Sequence, residues 1–133
     1  MFSLLFPKKN AVHTDLLRGT ADVHSHLLPG VDDGVQTMEE ALEILRLYEE
    51  LGIKSVWLTP HIMEDMPNTT LHLRERYAEL QATYSGPIKL HLASENMLDN
   101  LFEERLEKND LLPLVKAVTI YWWKPPTLPL RWD

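Results

Sequence analysis

Asp22-Val23-His24-Ser25-His26, running directly into Leu27-Leu28-Pro29-Gly30-Val31-Asp32-Asp33-Gly34, is the stretch on which the fold of this chain turns. Thr20 to His26 reads as a β-strand. The loop after it, Leu27 to Gln36, carries Pro29, Gly30 and Gly34. Two histidines at i and i+2 near a strand end point the same way, so both imidazoles can reach one cation. Asp33, on the loop, offers a hard oxygen ligand beside them.

Working outward, Thr37 with Glu40 three residues later forms a capping-box signature. Met38, Ala41, Leu42, Leu45 and Tyr48 follow at helical spacing, and Gly52 sits where a helix ends on a left-handed residue. Ser55 to Thr59 is a second β-rich run, closed by Pro60. A second helix is expected from Thr69 to about Tyr84, with Leu73, Tyr77 and Leu80 as its buried stripe. Gly86-Pro87 breaks it. Ile88 to Ser94 reads as a third strand and Met97 to Glu107 as a third helix. Strands alternating with helices over such short links specify an α/β fold built of βαβ units on a parallel sheet. Strand alternation places Asp22, His24 and His26 on one face, and Ser55, Trp57, Thr59 and His61 on one face of the next strand. Val23, Val56 and Leu58 then form apolar faces suited to packing under helices.

The pattern of the first strand end recurs. Thr59-Pro60-His61 closes the second strand, and Glu95 follows the third within Ala93-Ser94-Glu95-Asn96-Met97-Leu98-Asp99. Taken singly, each histidine reads as a surface or hydrogen-bonded residue. Polar ligands at three consecutive C-terminal strand ends, where α/β folds place their sites, argue instead for one metal centre built from His24, His26, Asp33, His61 and Glu95. Imidazole and carboxylate without thiolate suit manganese, iron or zinc. His13, His72 and His91 lack that support and are read as structural. Asp22 either orients a ligand histidine or sits deep in the sheet. The run Glu103, Glu104, Arg105, Glu107, Lys108 reads as a solvated helix face.

Composition narrows the field further. The 133 residues suffice for one modest core, with 44% hydrophobic and 25% charged side chains. Twenty acidic against 13 basic groups give a net charge of −7, which argues against a nucleic-acid partner. There is no cysteine, so disulfides, zinc–thiolate sites and a cysteine nucleophile are excluded. No stretch approaches the ~20 apolar residues of a membrane span, so no membrane insertion is expected. Phe2, Leu4, Leu5 and Phe6 precede Lys8 and Lys9, the reverse of a secretory signal, which reads as a cytoplasmic N-terminus.

The motifs DVHSHLLPGVDDG (residues 22–34), LTPH (58–61) and ASENMLDNLFEERL (93–106) resemble the opening motifs of the CpsB/CapC family of manganese-dependent protein-tyrosine phosphatases, members of the PHP superfamily. The similarity covers about residues 18–114. It implies the first three βα units of a distorted (β/α)7 PHP-type barrel, here incomplete, with up to three Mn2+ ions at its C-terminal face, Fe or Zn being alternatives. His24 and His26 would bind one ion, Asp33 and His61 another, and Glu95 would bridge. The implied activity is hydrolysis of phosphotyrosine by metal-activated hydroxide, on a phosphotyrosine protein such as a capsule-regulating tyrosine kinase. Phosphotyrosine rests on the resemblance alone.

The family's later motifs are not found after Leu114. Thr119 to Thr127 can be encoded so that a one-nucleotide shift reads His-Leu-Leu-Val-Glu-Thr-Ser-Tyr, similar to the family's next strand. A frameshift near Leu114 is therefore expected, with residues 1–114 the N-terminal part of the domain and 115–133 an aberrant tail. Alternatives are a non-catalytic remnant with a partial metal site, or a PHP phosphoesterase of small molecules. An amidohydrolase also opens with His-x-His, but Asp-Asp-Gly and Thr-Pro-His speak against it.

Overall fold

The structure, a computed structural model, describes residues 15–114. The N-terminal apolar run, His13 and the 115–133 tail lie outside the described residues. The elements are β1 (Ala21–Ser25), α1 (Met38–Leu51), β2 (Ser55–Leu58), β3 (His61–Ile62), α2 (Thr70–Thr83), β4 (Lys89–Leu92), β5 (Glu95–Asn96) and α3 (Asn100–Glu107). β1, β2 and β4 form a parallel sheet in that order, so the α/β reading holds. Among the described residues this sheet is open.

Local chemistry sets the helix ends. The Thr37 hydroxyl accepts from the Glu40 amide while the Glu40 carboxylate accepts from the Thr37 amide, the expected capping box. Those backbone donors hold the Glu40 carboxyl below its usual range. Gly52 ends α1 at φ 80°, in the left-handed region that favours glycine. Thr69 caps α2 and Asp99 caps α3, so α3 begins three residues later than periodicity suggests. Leu28, Leu45, Val56, Leu58, Ile62, Leu73 and Leu80 are all but fully buried between sheet and helices.

Three features depart from the sequence reading. First, the second strand closes at Pro60 as expected, but His61 beyond it belongs to a strand of its own, apart from β2. That strand, β3, pairs in parallel with β5 as a second small sheet, His61 opposite Glu95. Second, β1 carries a bulge. Asp22 pairs with Val56 and Ser25 with Leu58, so three steps on β1 match two on β2. Asp22 therefore lies on the side of Val56, where the Tyr48 hydroxyl of α1 donates to it at 2.9 Å. Burial and that carboxylate push the Tyr48 phenol up to about 12. After the bulge Ser25 takes the buried side, and His24 and His26 turn to the other. Val23 is left 59% exposed rather than under a helix. Third, Arg105 is 5% exposed and not part of a solvated face. Its guanidinium donates to the Asn68 carbonyl at 3.1 Å, the Thr70 hydroxyl at 2.8 Å and the Asp110 carbonyl at 2.8 Å, tying α3 to the start of α2.

Leu45 and Leu47 separate core from surface within one helix: Leu45 has no exposure and Leu47 has 49%. Leu45→Ala should cost about 2–5 kcal/mol in urea unfolding. Leu47→Ala should stay within about 0.5 kcal/mol of the parent.

Candidate metal centre

The bulge and the two sheets bring the five candidate ligands together at one end of the fold. The Glu95 Oε2 atom is the centre of the arrangement. It lies 3.3 Å from His24 Nε2, 3.3 Å from His26 Nε2 and 3.4 Å from His61 Nδ1. His24 Nε2 and His26 Nε2 are themselves 3.3 Å apart. Asp33 stands on the rim, 74% exposed, with Oδ1 3.5 Å from His61 Nε2. Two ligand groups could each hold an ion, His24–His26–Glu95 and His26–Asp33–His61.

This spacing fits a cation. Two donors at about 2.1 Å from one tetrahedral ion stand about 3.4 Å apart. A second sign is His61 Nδ1, which is buried and has no hydrogen-bond partner. Buried polar atoms are normally satisfied, and a metal ligand is one group that leaves its lone pair free for an ion.

Fixed hydrogen bonds set the ring orientations. His26 Nδ1 lies 2.7 Å from Asp32 Oδ2. An ionised carboxylate only accepts, so Nδ1 carries the proton and Nε2 presents its lone pair to the cluster. The Asp32 side chain is wholly buried and also accepts from the His61 amide at 3.1 Å and the Gly34 amide at 3.0 Å. Gly34 is needed there because a Cβ would sit 2.4 Å from both the His26 Cβ and its carbonyl oxygen. Thr59 serves His24 in the same way, its hydroxyl 3.2 Å from Nδ1 and donating to the Ser25 carbonyl. Asn68 joins the two halves, donating to the carbonyls of Val31 at 2.7 Å and His61 at 3.0 Å.

With this geometry in place, comparison with known proteins is decisive. The family described as "Capsular polysaccharide synthesis, CpsB/CapC" matches residues 20–121. The chain belongs to the CpsB/CapC family. Among curated relatives, tyrosine-protein phosphatase YwqE of Bacillus subtilis is 30% identical over 97 residues, 70% of this chain and 38% of YwqE. The CapC protein of Staphylococcus aureus, named provisionally as a tyrosine-protein phosphatase, is 33% identical over 57 residues, 43% of this chain and 18% of its own length. The chain thus spans well under half the length of either relative.

Within this CpsB/CapC chain, the five residues singled out by motif converge, and His72 does not join them. It is exposed on α2. His91 stacks on Trp57 with ring centroids 4.1 Å apart, a structural contact. Asp22 touches no ligand ring. It accepts from Tyr48 and from the His24 amide at 3.1 Å. The orienting residues Asp32, Thr59 and Asn68 escaped the sequence reading. Asp32 had a signal in the Asp-Asp pair, but nothing in one dimension says which member turns inward.

Asp32→Asn should weaken metal binding by about 10–100-fold. An amide cannot accept from three N–H groups, and its NH2, if turned toward His26, shifts the ring proton to Nε2. Competition titration with a chromogenic chelator would measure this, with His72→Ala expected to match the parent.

Proposed function

We propose that this chain is the metal-binding part of a metal-dependent protein-tyrosine phosphatase that regulates capsular or exopolysaccharide synthesis in the cytoplasm. The observation that carries the reading is the convergence of three imidazole nitrogens on one oxygen of Glu95 within 3.3–3.4 Å. Relatives named as tyrosine-protein phosphatases support the reaction class. His24, His26, Asp33, His61 and Glu95 are the proposed ligands, with Glu95 the proposed bridge. Manganese is the proposed ion, iron and zinc being compatible with the same donors. A bound divalent cation would supply Lewis acidity toward phosphoryl oxygens and lower the pKa of water toward neutrality. The protein's own part is to hold His24 and His26 with Nε2 facing the cluster and to keep Glu95 oriented through the β3–β5 pairing. This chain has no cysteine and so offers no thiol nucleophile of its own. The proposed substrate is a phosphotyrosine protein such as a capsule-regulating tyrosine kinase.

A second reading is a metal-binding module without turnover, favoured by the open sheet among the described residues. We extend the proposal to a reading frame restored beyond Leu114, where further ligands would be supplied.

The test compares residues 1–133 with the frame-restored chain. The restored chain should hydrolyse an aryl phosphate, lose activity in a chelator, regain it with Mn2+ and ignore thiol alkylation. His24→Ala and His61→Ala should each nearly abolish turnover and lower bound manganese, whereas His72→Ala should do little. Full activity of a thoroughly metal-stripped sample would sink the proposal. Residues 1–133 alone should bind metal with little hydrolysis.

A further inference from the structure

Beyond the ligands, the two short strands that carry His61 and Glu95 continue into methionines. Met63 follows His61 by two residues and Met97 follows Glu95 by two. The parallel ladder pairs His61 with Glu95 and Ile62 with Asn96, and runs on through the Met97 amide, which donates to the Ile62 carbonyl at 3.2 Å. Carried one residue past the ends of β3 and β5, strand alternation puts Met63 and Met97 on the ligand face, about 6–7 Å further along. Met97 is 54% exposed, and Met63 is half-buried. Between them Ile62 turns the other way into the core, 1% exposed.

Both loops are held in place. Met63 exchanges two backbone hydrogen bonds with Met66, at 3.2 and 2.9 Å. The Glu64 amide donates to Asp99 Oδ2 at 2.8 Å, and the Asn100 side chain donates to Glu64 Oε1 at 2.9 Å. The same Asp99 caps α3. The backbone that carries both methionines is thus anchored next to an otherwise polar centre.

We infer that Met63 and Met97 form a lip that receives the aromatic ring of an aryl phosphate whose phosphoryl group is held at the metal centre. This rests on the proposed function and deepens it by naming the residues that select an aryl ester. The step from ligands to lip matches a ring joined to phosphorus through one ester oxygen. Thioethers make favourable contacts with aromatic rings and adapt to their shape. A small aliphatic phosphate would reach the same ligands without touching the lip.

The experiment uses the 133-residue chain loaded with Zn2+, labelled at its methionine methyls, with benzylphosphonate, whose CH2 replaces the ester oxygen, and methylphosphonate as non-hydrolysable probes. The five methionines are few enough to assign by Met63→Leu and Met97→Leu. Benzylphosphonate should bind about tenfold tighter than methylphosphonate, and ring currents should shift the Met63 and Met97 methyls while Met38, packed against the core, stays put. In the Met63→Ala/Met97→Ala double variant the ratio of the two affinities should fall toward one, with the Met38 signal reporting an intact fold. Equal binding of both phosphonates by the parent, or a benzyl preference without shifts at these methyls, overturns the lip and leaves the metal-centre reading standing. A chain that takes up no Zn2+ overturns the metal-centre reading, and the lip with it, whereas Zn2+ uptake with neither probe bound overturns the lip alone.

Discussion

A carboxylate with no exposed surface has to have its oxygens filled by donors, and Asp32 meets that requirement with three. Each donor comes from a different part of the centre: the His26 ring, the His61 backbone and the Gly34 amide. Hydrogen bonds to an ionised carboxylate are stronger than neutral ones and directional. The loop after β1, the ring orientation of His26 and the start of β3 are therefore not independent. Moving any one of them would leave a buried charge short of a partner, which is costly. The ligand geometry is inherited from this arrangement.

The bulge in β1 does complementary work. A regular strand starting with Asp22 on the helix side would have carried His24 and His26 to that side too. The extra residue reverses the alternation, so Asp22 stays with Tyr48 while both histidines turn toward Glu95. Bulges beside functional sites commonly re-aim side chains in this way. The separate β3–β5 pairing has a similar effect. It lets His61 and Glu95 leave the plane of the main sheet and meet the histidines of β1.

Support also reaches the centre from a distance. Arg105, buried in α3, holds the Asn68 carbonyl, and the Asn68 side chain in turn holds the carbonyls of Val31 and His61. A charged side chain is seldom buried without such partners. Meanwhile the side of the sheet that carries Val23 and the Trp57–His91 stack shows exposed apolar surface among the described residues. The chain reaches that region at Leu114, whose carbonyl accepts from the Trp57 indole at 3.3 Å.

Much of this was legible along the chain. The capping box, the Gly52 stop, the βαβ order and the choice of the five candidate ligands all follow from short-range rules: turn chemistry, helical period and residue type at strand ends. These depend on neighbours a few positions apart, and one dimension contains them. What the sequence could not show was which side each residue faced once strands met. Alternation assigned Asp22 to the histidine face and Val23 to the core, and one unpaired residue in β1 reversed both. Arg105 looked like surface because its acceptors, the Asn68 carbonyl and the Thr70 hydroxyl, lie 35–37 residues away. Asp32 and Asp33 are chemically identical neighbours, and only the approach of His26 and His61 made one a buried anchor and left the other on the rim. Composition and local spacing determined the kind of site. Register and long-range hydrogen bonding, which exist only when distant segments are packed together, decided which atoms form it.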